Sequence, residues 1–227
     1  MRRDMREIVL DTETTGLDHA SGHRIVEIGC VELLHRIPSG AIFQRYVNPE
    51  REMPAEARAV HGLTDEFLSG HPRFVDVAVE FLEFIGDSPL IIHNAEFDMG
   101  FVNAELKRAG FAALPVARAT DTVLLARRKF PGAPANLDAL CRRFNVDNSS
   151  RQLHGALLDA SLLAEVYLEL TGGRQTGLGL ENAAQVAVNT LAARGDVRPV
   201  RPHAASDEEL AAHAALIARL KNPVWGT

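Results

Sequence analysis

The amino-acid sequence predicts an α/β fold, a central mixed sheet flanked by helices, with an appended C-terminal tail. Three observations lead there. The first 47 residues hold three β-rich runs, and from Pro54 onwards apolar residues recur near helical spacing, interrupted by short apolar runs. After Gly172-Gly173 the composition shifts to Gly, Gln, Asn and Pro with weak periodicity. At 227 residues the chain is long enough for one sizeable domain and an appendage, and short for two full cores.

The elements follow in order. Residues 7–13 read as a strand, because Ile8-Val9-Leu10 leads into alternation and a turn signal at Thr15-Gly16. Residues 24–35 are rich in β-branched side chains, and 41–47 form a third strand after a Pro38-Ser39-Gly40 turn, giving an antiparallel meander. Helices are expected at 54–60 and at 75–86, the latter from the spacing of Val75, Val79, Phe81, Leu82 and Ile85. Leu90-Ile91-Ile92 is a short buried strand, followed by a helix over 97–109 that stops at Gly110. A strand at 119–121 and helices at 122–129, 136–144 and 155–171 complete the domain, residues 1–173. In the tail, residues 174–227, helices are expected at 181–193 and at 206–221. Ser206 serves as the N-cap of the latter, Glu208-Glu209 fill its first turn, and Leu210, Ala214, Ile217 and Leu220 form one apolar stripe.

Composition excludes several classes. Apolar residues at 46% and charged residues at 24% describe an ordinary globular protein. No run approaches the roughly 18 apolar residues of a membrane span, and Met1-Arg2-Arg3-Asp4 leads straight into a strand, without a signal-peptide core. Cys30 and Cys141 lack metal-ligand spacing. The expectation is a cytoplasmic protein with no membrane contact. A net charge of -6 argues against a protein that coats duplex nucleic acid by phosphate neutralisation. It does not argue against an enzyme that meets phosphate through carboxylate-bound metal.

Chemistry concentrates in three segments. In Asp11-Thr12-Glu13-Thr14-Thr15-Gly16 the two acids stand two apart on a strand and share a face. Like charges at a buried strand end require a cation, and hard Mg²⁺ or Mn²⁺ suits oxygen donors; an exposed rim is the plainer alternative. In His93-Asn94-Ala95-Glu96-Phe97-Asp98 a strand turns into a helix with Asp98 in the first turn, where a carboxylate answers the helix dipole or reaches a metal. Asn94 is the natural cap. In His154-Gly155-Ala156-Leu157-Leu158-Asp159-Ala160 the histidine falls on a loop and Asp159 inside an apolar helix, where it is either a metal ligand or a solvated surface acid. Together these supply four carboxylates and a histidine on three elements. Two ions about 3.5–4 Å apart clamp the attacking and leaving oxygens of a phosphoryl displacement. A histidine near its ordinary pKa of about 6.5 suits removal of a proton from water. The basic runs Arg127-Arg128-Lys129 and Arg142-Arg143 read equally as phosphate contacts or as solvated helix faces.

With these motifs in that order, the chain resembles the DEDD exonuclease superfamily in its histidine-bearing branch, and within it the epsilon-subunit family of bacterial DNA polymerase III. A fourth match is Val60-His61-Gly62-Leu63-Thr64, which in this family bounds the substrate pocket; without the resemblance His61 reads as a loop residue. The likeness spans residues 6–172 and, more loosely, the tail. It implies a ribonuclease-H-like fold, two Mg²⁺ or Mn²⁺ ions on Asp11, Glu13, Asp98 and Asp159, and His154 as general base. It also implies that Thr12, Thr14, His61 and Phe97 hold the terminal nucleotide of a DNA 3′ end, with release of nucleoside 5′-monophosphates. In the tail, Gln175-Thr176-Gly177-Leu178-Gly179-Leu180 resembles a sliding-clamp peptide, and residues 203–227, with Trp225, resemble the segment that tethers the exonuclease to the DNA polymerase III catalytic subunit. Two other readings compete with DNA proofreading. One is a related exoribonuclease, which trims RNA ends or degrades short oligoribonucleotides and needs neither tail motif. The other is a non-catalytic scaffold, whose mark would be a lost carboxylate or histidine.

Overall fold

The computed structural model describes residues 6–149, 151, 153–173 and 205–219. The clamp-like segment with Gln175, Leu178 and Leu180, the helix expected at 181–193 and Trp225 lie outside the described residues. The chain divides into two compact units, Met1–Gly177 and Leu178–Thr227.

The first unit is built on a five-stranded sheet of order β3-β2-β1-β4-β5. Its strands are β1 (Arg6–Thr14), β2 (Ile25–Leu34), β3 (Ile37–Tyr46), β4 (Leu90–Ile92) and β5 (Ala119–Asp121). The first three form the antiparallel meander, whereas β4 runs parallel to β1 and β5 parallel to β4. Helices α1 (Ala55–His61), α2 (Asp65–Ser69) and α3 (Phe74–Ile85) separate β3 from β4, and α4 (Ala95–Arg108) separates β4 from β5. Then come α5 (Thr122–Lys129), α6 (Leu137–Phe144) and α7 (Ala156–Leu170).

Strand alternation sorts the core into two layers. Ile8 and Leu10 pack with Phe74, Phe81, Met99 and Phe101 of α3 and α4. Val9 points the other way, into Leu140, Ala160, Leu163 and Val166 of α6 and α7. Each such fully buried side chain contributes about 1.5–3 kcal/mol. The far end of α7 is fixed by cations: Lys129 Nζ donates to the carbonyls of Glu169 and Leu170 at 3.0 and 2.9 Å. Arg143 lies over the Phe130 ring at 4.4 Å. Part of each basic run therefore serves packing.

Three local expectations need correction. The hairpin turns at His35-Arg36, both at positive φ (53° and 67°), and β3 already includes Pro38, Ser39 and Gly40. An edge strand tolerates the missing N–H of proline, and β3 is at the edge. Asn94 does not cap α4; it sits in the left-handed region at φ 70° with no side-chain cap bond, and Asp121 Oδ2 accepts from Ala95 N at 3.2 Å. Helix α2 was not foreseen, although Thr64 caps it by accepting from Phe67 N at 3.2 Å.

In the second unit, α8 (Asp207–Ile217) begins at Ser206 in a capping box with Glu209 and is shorter than the expected 206–221. Leu210 and Leu216 on it are exposed.

Candidate active site

The strand that begins as core ends as chemistry. Asp11 and Glu13 continue the parity of Val9 and face α7, whereas Thr12 continues that of Leu10 and faces α4. Strand β4 is only three residues long and pairs with β1 at Ile8 and Val9 alone, so further along β1 a helix takes over the strand's place. There Asp98 of α4 accepts on Oδ1 from Thr12 N at 3.0 Å and from Thr12 Oγ1 at 2.7 Å.

Helix α7 approaches from the other face. A Cβ on Gly29 would lie 2.3 Å from the Ala156 carbonyl carbon and from Leu157 N, so only glycine lets the first turn of α7 rest on β2. Gly29 pairs with Asp11 in register, which brings Asp159, one turn into α7, beside the two β1 acids. The N-terminus of α7 has no cap from its own Gly155. Glu27, 2% exposed, supplies one: Oε2 accepts from Ala156 N at 3.1 Å while Oε1 accepts from Gln44 Nε2 at 2.8 Å.

His154 stands on the loop before α7, its side chain half exposed, and its N–H donates to Val60 O at 3.1 Å. Gly62, at φ 76°, lies against Leu153, where a Cβ would approach Cδ1 to 2.7 Å. The Val60–Thr64 motif therefore braces the histidine loop. Ligand atoms of Glu13, His154 and Asp159 all lie within 4.8 Å of one another.

These side chains line one cavity of about 510 Å³, together with Thr14, Leu17, His61 and Phe97. His61 is 5% exposed; its Nδ1 accepts from Leu63 N at 3.1 Å, which places the proton on Nε2, near the Thr14 backbone but without a hydrogen bond of ordinary geometry among the described residues. Burial lowers its pKa and keeps it neutral. Thr12 also borders the cavity, but its N–H is committed to Asp98. Phe97 packs on Phe101 with centroids 4.9 Å apart.

Burial and neighbouring acids raise the pKa values of three carboxyl groups in the cluster. Burial, then Asp159, Glu27 and Asp98, push Glu13 up to about 8. Burial pushes Asp98 up to about 7 against its Thr12 hydrogen bonds. Asp11 is raised well above the usual carboxylate range by burial and then by Asp98, Asp159 and Glu13. Among the described residues one internal cation, which no sequence pattern marks, answers them. Arg151 forms a two-pronged bond to Asp159, Nε to Oδ1 and Nη2 to Oδ2, both at 2.6 Å. Asp159 is thus 4% exposed but not unpaired. Neither Arg151 nor Glu27 carries a periodicity or motif signal; Arg151 stands three residues before His154 and Glu27 two before Gly29, and that proximity is the only hint.

An α/β sheet carrying carboxylates from β1, α4 and α7 and a histidine beside one cavity fits a phosphodiester hydrolase of the exonuclease class. The RNase_T exonuclease profile matches residues 8–167. A solved complex of exonuclease X with 5′-overhanging duplex DNA is 25% identical at TM-score 0.58, covering 73% of this chain and 90% of that one. The fold is shared as well with the nuclease domain of 3′hExo, a DEDDh family member bound to rAMP (TM-score 0.61, 19% identity, 75% of this chain and 93% of that one). The DNA polymerase III subunit epsilon of Rickettsia felis is 56% identical over 191 residues, 83% of each chain. That of Escherichia coli K12 is 46% identical over 221 residues, 92% of this chain and 91% of its own. The chain belongs to the epsilon-subunit family of bacterial DNA polymerase III exonucleases.

Proposed function

We propose that the chain removes mispaired nucleotides from DNA 3′ ends during replication, in the cytoplasm, releasing nucleoside 5′-monophosphates. The observation that carries this is the meeting of four buried or half-buried acids from three elements beside one half-exposed histidine. Asp11, Glu13, Asp98 and Asp159 fit two Mg²⁺ or Mn²⁺ ions: all offer hard oxygen donors, and three are held at raised pKa values by burial and by neighbouring acids, a strain that divalent cations would relieve. Bound divalent ions supply the charge that activates water and stabilises the scissile phosphate. His154 takes the proton of the attacking water. The His61 Nε2–H donates to the terminal nucleotide, Phe97 offers it an aromatic face, and Thr12 and Thr14 form the wall along β1. The apolar part of the cavity, Leu17, Ala57 and Val60 among it, keeps bulk water from the bound end.

Residues 1–173 act as the exonuclease domain and 174–227 as the tail that joins it to its partners. Gln175, Leu178 and Leu180 occupy the sliding clamp, and residues 203–227 bind the DNA polymerase III catalytic subunit. Two points support the tail's role. Likeness to the Escherichia coli relative covers 92% of the chain, more than the nuclease domain alone, and α8 presents exposed Leu210 and Leu216. Among the described residues no helix is long and apolar enough to cross a membrane. DNA and RNA oligonucleotides of one sequence separate this reading from an RNA-trimming one: DNA should be digested at least tenfold faster, and equal or faster RNA digestion would refute it.

A further inference from the structure

Arg151 makes more contacts with the catalytic cluster than a simple ion pair requires. Its Nη2, besides bonding Asp159 Oδ2, approaches His154 Nδ1 to 2.9 Å. A guanidinium has donors only, so Nδ1 is the acceptor and the imidazole proton stands on Nε2. In that tautomer neither ring nitrogen has a free lone pair for water. The same Nη2 also bridges His154 and Asp159, whose Nδ1 and Oδ2 lie 3.4 Å apart. The third arm, Nη1, reaches outward to Asp138 Oδ1 at 2.7 Å. Asp138, on α6, is 45% exposed, whereas the Arg151 side chain is 8% exposed. The guanidinium therefore already holds a second carboxylate away from the cluster.

We propose that Arg151 is a counter-cation of the acidic cluster and a positioning residue for His154: it ties His154 to Asp159 and competes with divalent cations for the Asp159 carboxylate. The inference rests on Asp159 being a metal ligand. With both oxygens bonded to Arg151, Asp159 faces a competing positive charge at the place where a divalent ion must come. Transfer of the guanidinium to Asp138 frees the carboxylate and the Nδ1 lone pair together, so loading the site and readying the base become one event. The tie offsets part of the acidic repulsion and occupies the Nδ1 lone pair of His154.

The test uses the full-length chain without DNA. Imidazole ¹⁵N–¹H correlation spectra of the EDTA-treated wild type should show His154 as the Nε2–H tautomer, and Mg²⁺ should abolish that preference. Arg151→Met should lose it without Mg²⁺ and, by calorimetry, bind Mg²⁺ roughly tenfold or more tighter, since one nearby positive charge has gone. Arg151→Lys, which keeps the charge without the fork, should lose the tautomer preference yet stay within a few-fold of wild-type affinity. An Nδ1–H tautomer in the metal-free wild type would overturn the proposal, and that spectrum needs no variant to fold. A folded Arg151→Met variant that binds Mg²⁺ no tighter than wild type would overturn it equally. If the wild type itself bound no Mg²⁺, the metal reading would fall first and the tie with it.

Discussion

Replacing Glu13 by glutamine should stabilise the metal-free protein while destroying its activity. Glu13 is pushed from 4.5 to about 8 by burial and by Asp159, Glu27 and Asp98. Between those values the folded chain holds a proton that the unfolded chain has released, so stability falls as pH rises through the window. The contribution is full below about 4.5 and lost above about 8. Moving one carboxyl that far has a ceiling of about 5 kcal/mol. The repulsion is shared with Asp11 and Asp98 and is countered by Arg151, so about 2–4 kcal/mol falls to Glu13 itself. For a domain of this size that corresponds to roughly 4–16 °C in Tm. Thermal melts in EDTA should show wild type losing Tm from pH 5 to pH 8.5. Glu13→Gln should follow a flatter profile and melt higher at pH 8, and Mg²⁺ should close the gap by raising wild type more. A Glu13→Gln protein that melts at or below wild type at pH 8 in EDTA would refute the electrostatic account of the cluster.

Asp11→Ala or Asp98→Ala should leave a folded protein with a few per cent or less of wild-type nuclease rate, measured on a labelled oligonucleotide; substantial retained activity would remove that residue from the metal site. His154→Ala should lower turnover by about 10²–10⁴, with Mg²⁺ affinity changed only a few-fold, and an unaltered acidic limb in its pH–rate profile would exclude it as the base. Leu178→Ala with Leu180→Ala should weaken binding to the sliding clamp and spare digestion of free oligonucleotides, whereas deleting residues 203–227 should abolish binding to the polymerase catalytic subunit. Clamp binding equal to wild type would reduce 175–180 to a linker.

Legibility in the sequence followed periodicity. Ile8-Val9-Leu10 announced a buried strand, and the i, i+2 spacing of Asp11 and Glu13 put both acids on one face, because strand geometry is local. The helices after Pro54 showed their apolar spacing for the same reason. Less visible was what tertiary contact alone decides. Gly29 looked like any strand glycine, yet its missing Cβ lets α7 settle beside Asp11. Asn94 had the composition of a cap, but the chain entered α4 through a left-handed residue and Asp121 came from β5 to do the capping. His35-Arg36 carried no turn signal, since two non-glycine residues at positive φ are rare. Asp159 was read as an apolar-helix carboxylate in need of a cation. The structure adds that the chain carries one of its own, Arg151, on a loop with no pattern to betray it.

Metal-dependent removal of mispaired 3′ nucleotides from DNA can be followed on a single substrate. A primer–template with a single 3′-terminal mismatch is incubated with the full-length chain in Mg²⁺ or in EDTA, and the products are resolved by size and identified by mass. The primer should shorten stepwise from the 3′ end with release of deoxynucleoside 5′-monophosphates, faster than the matched primer, and EDTA should abolish the reaction. Release of 3′-monophosphates, shortening from the 5′ end, or undiminished digestion in EDTA would contradict the proposed function.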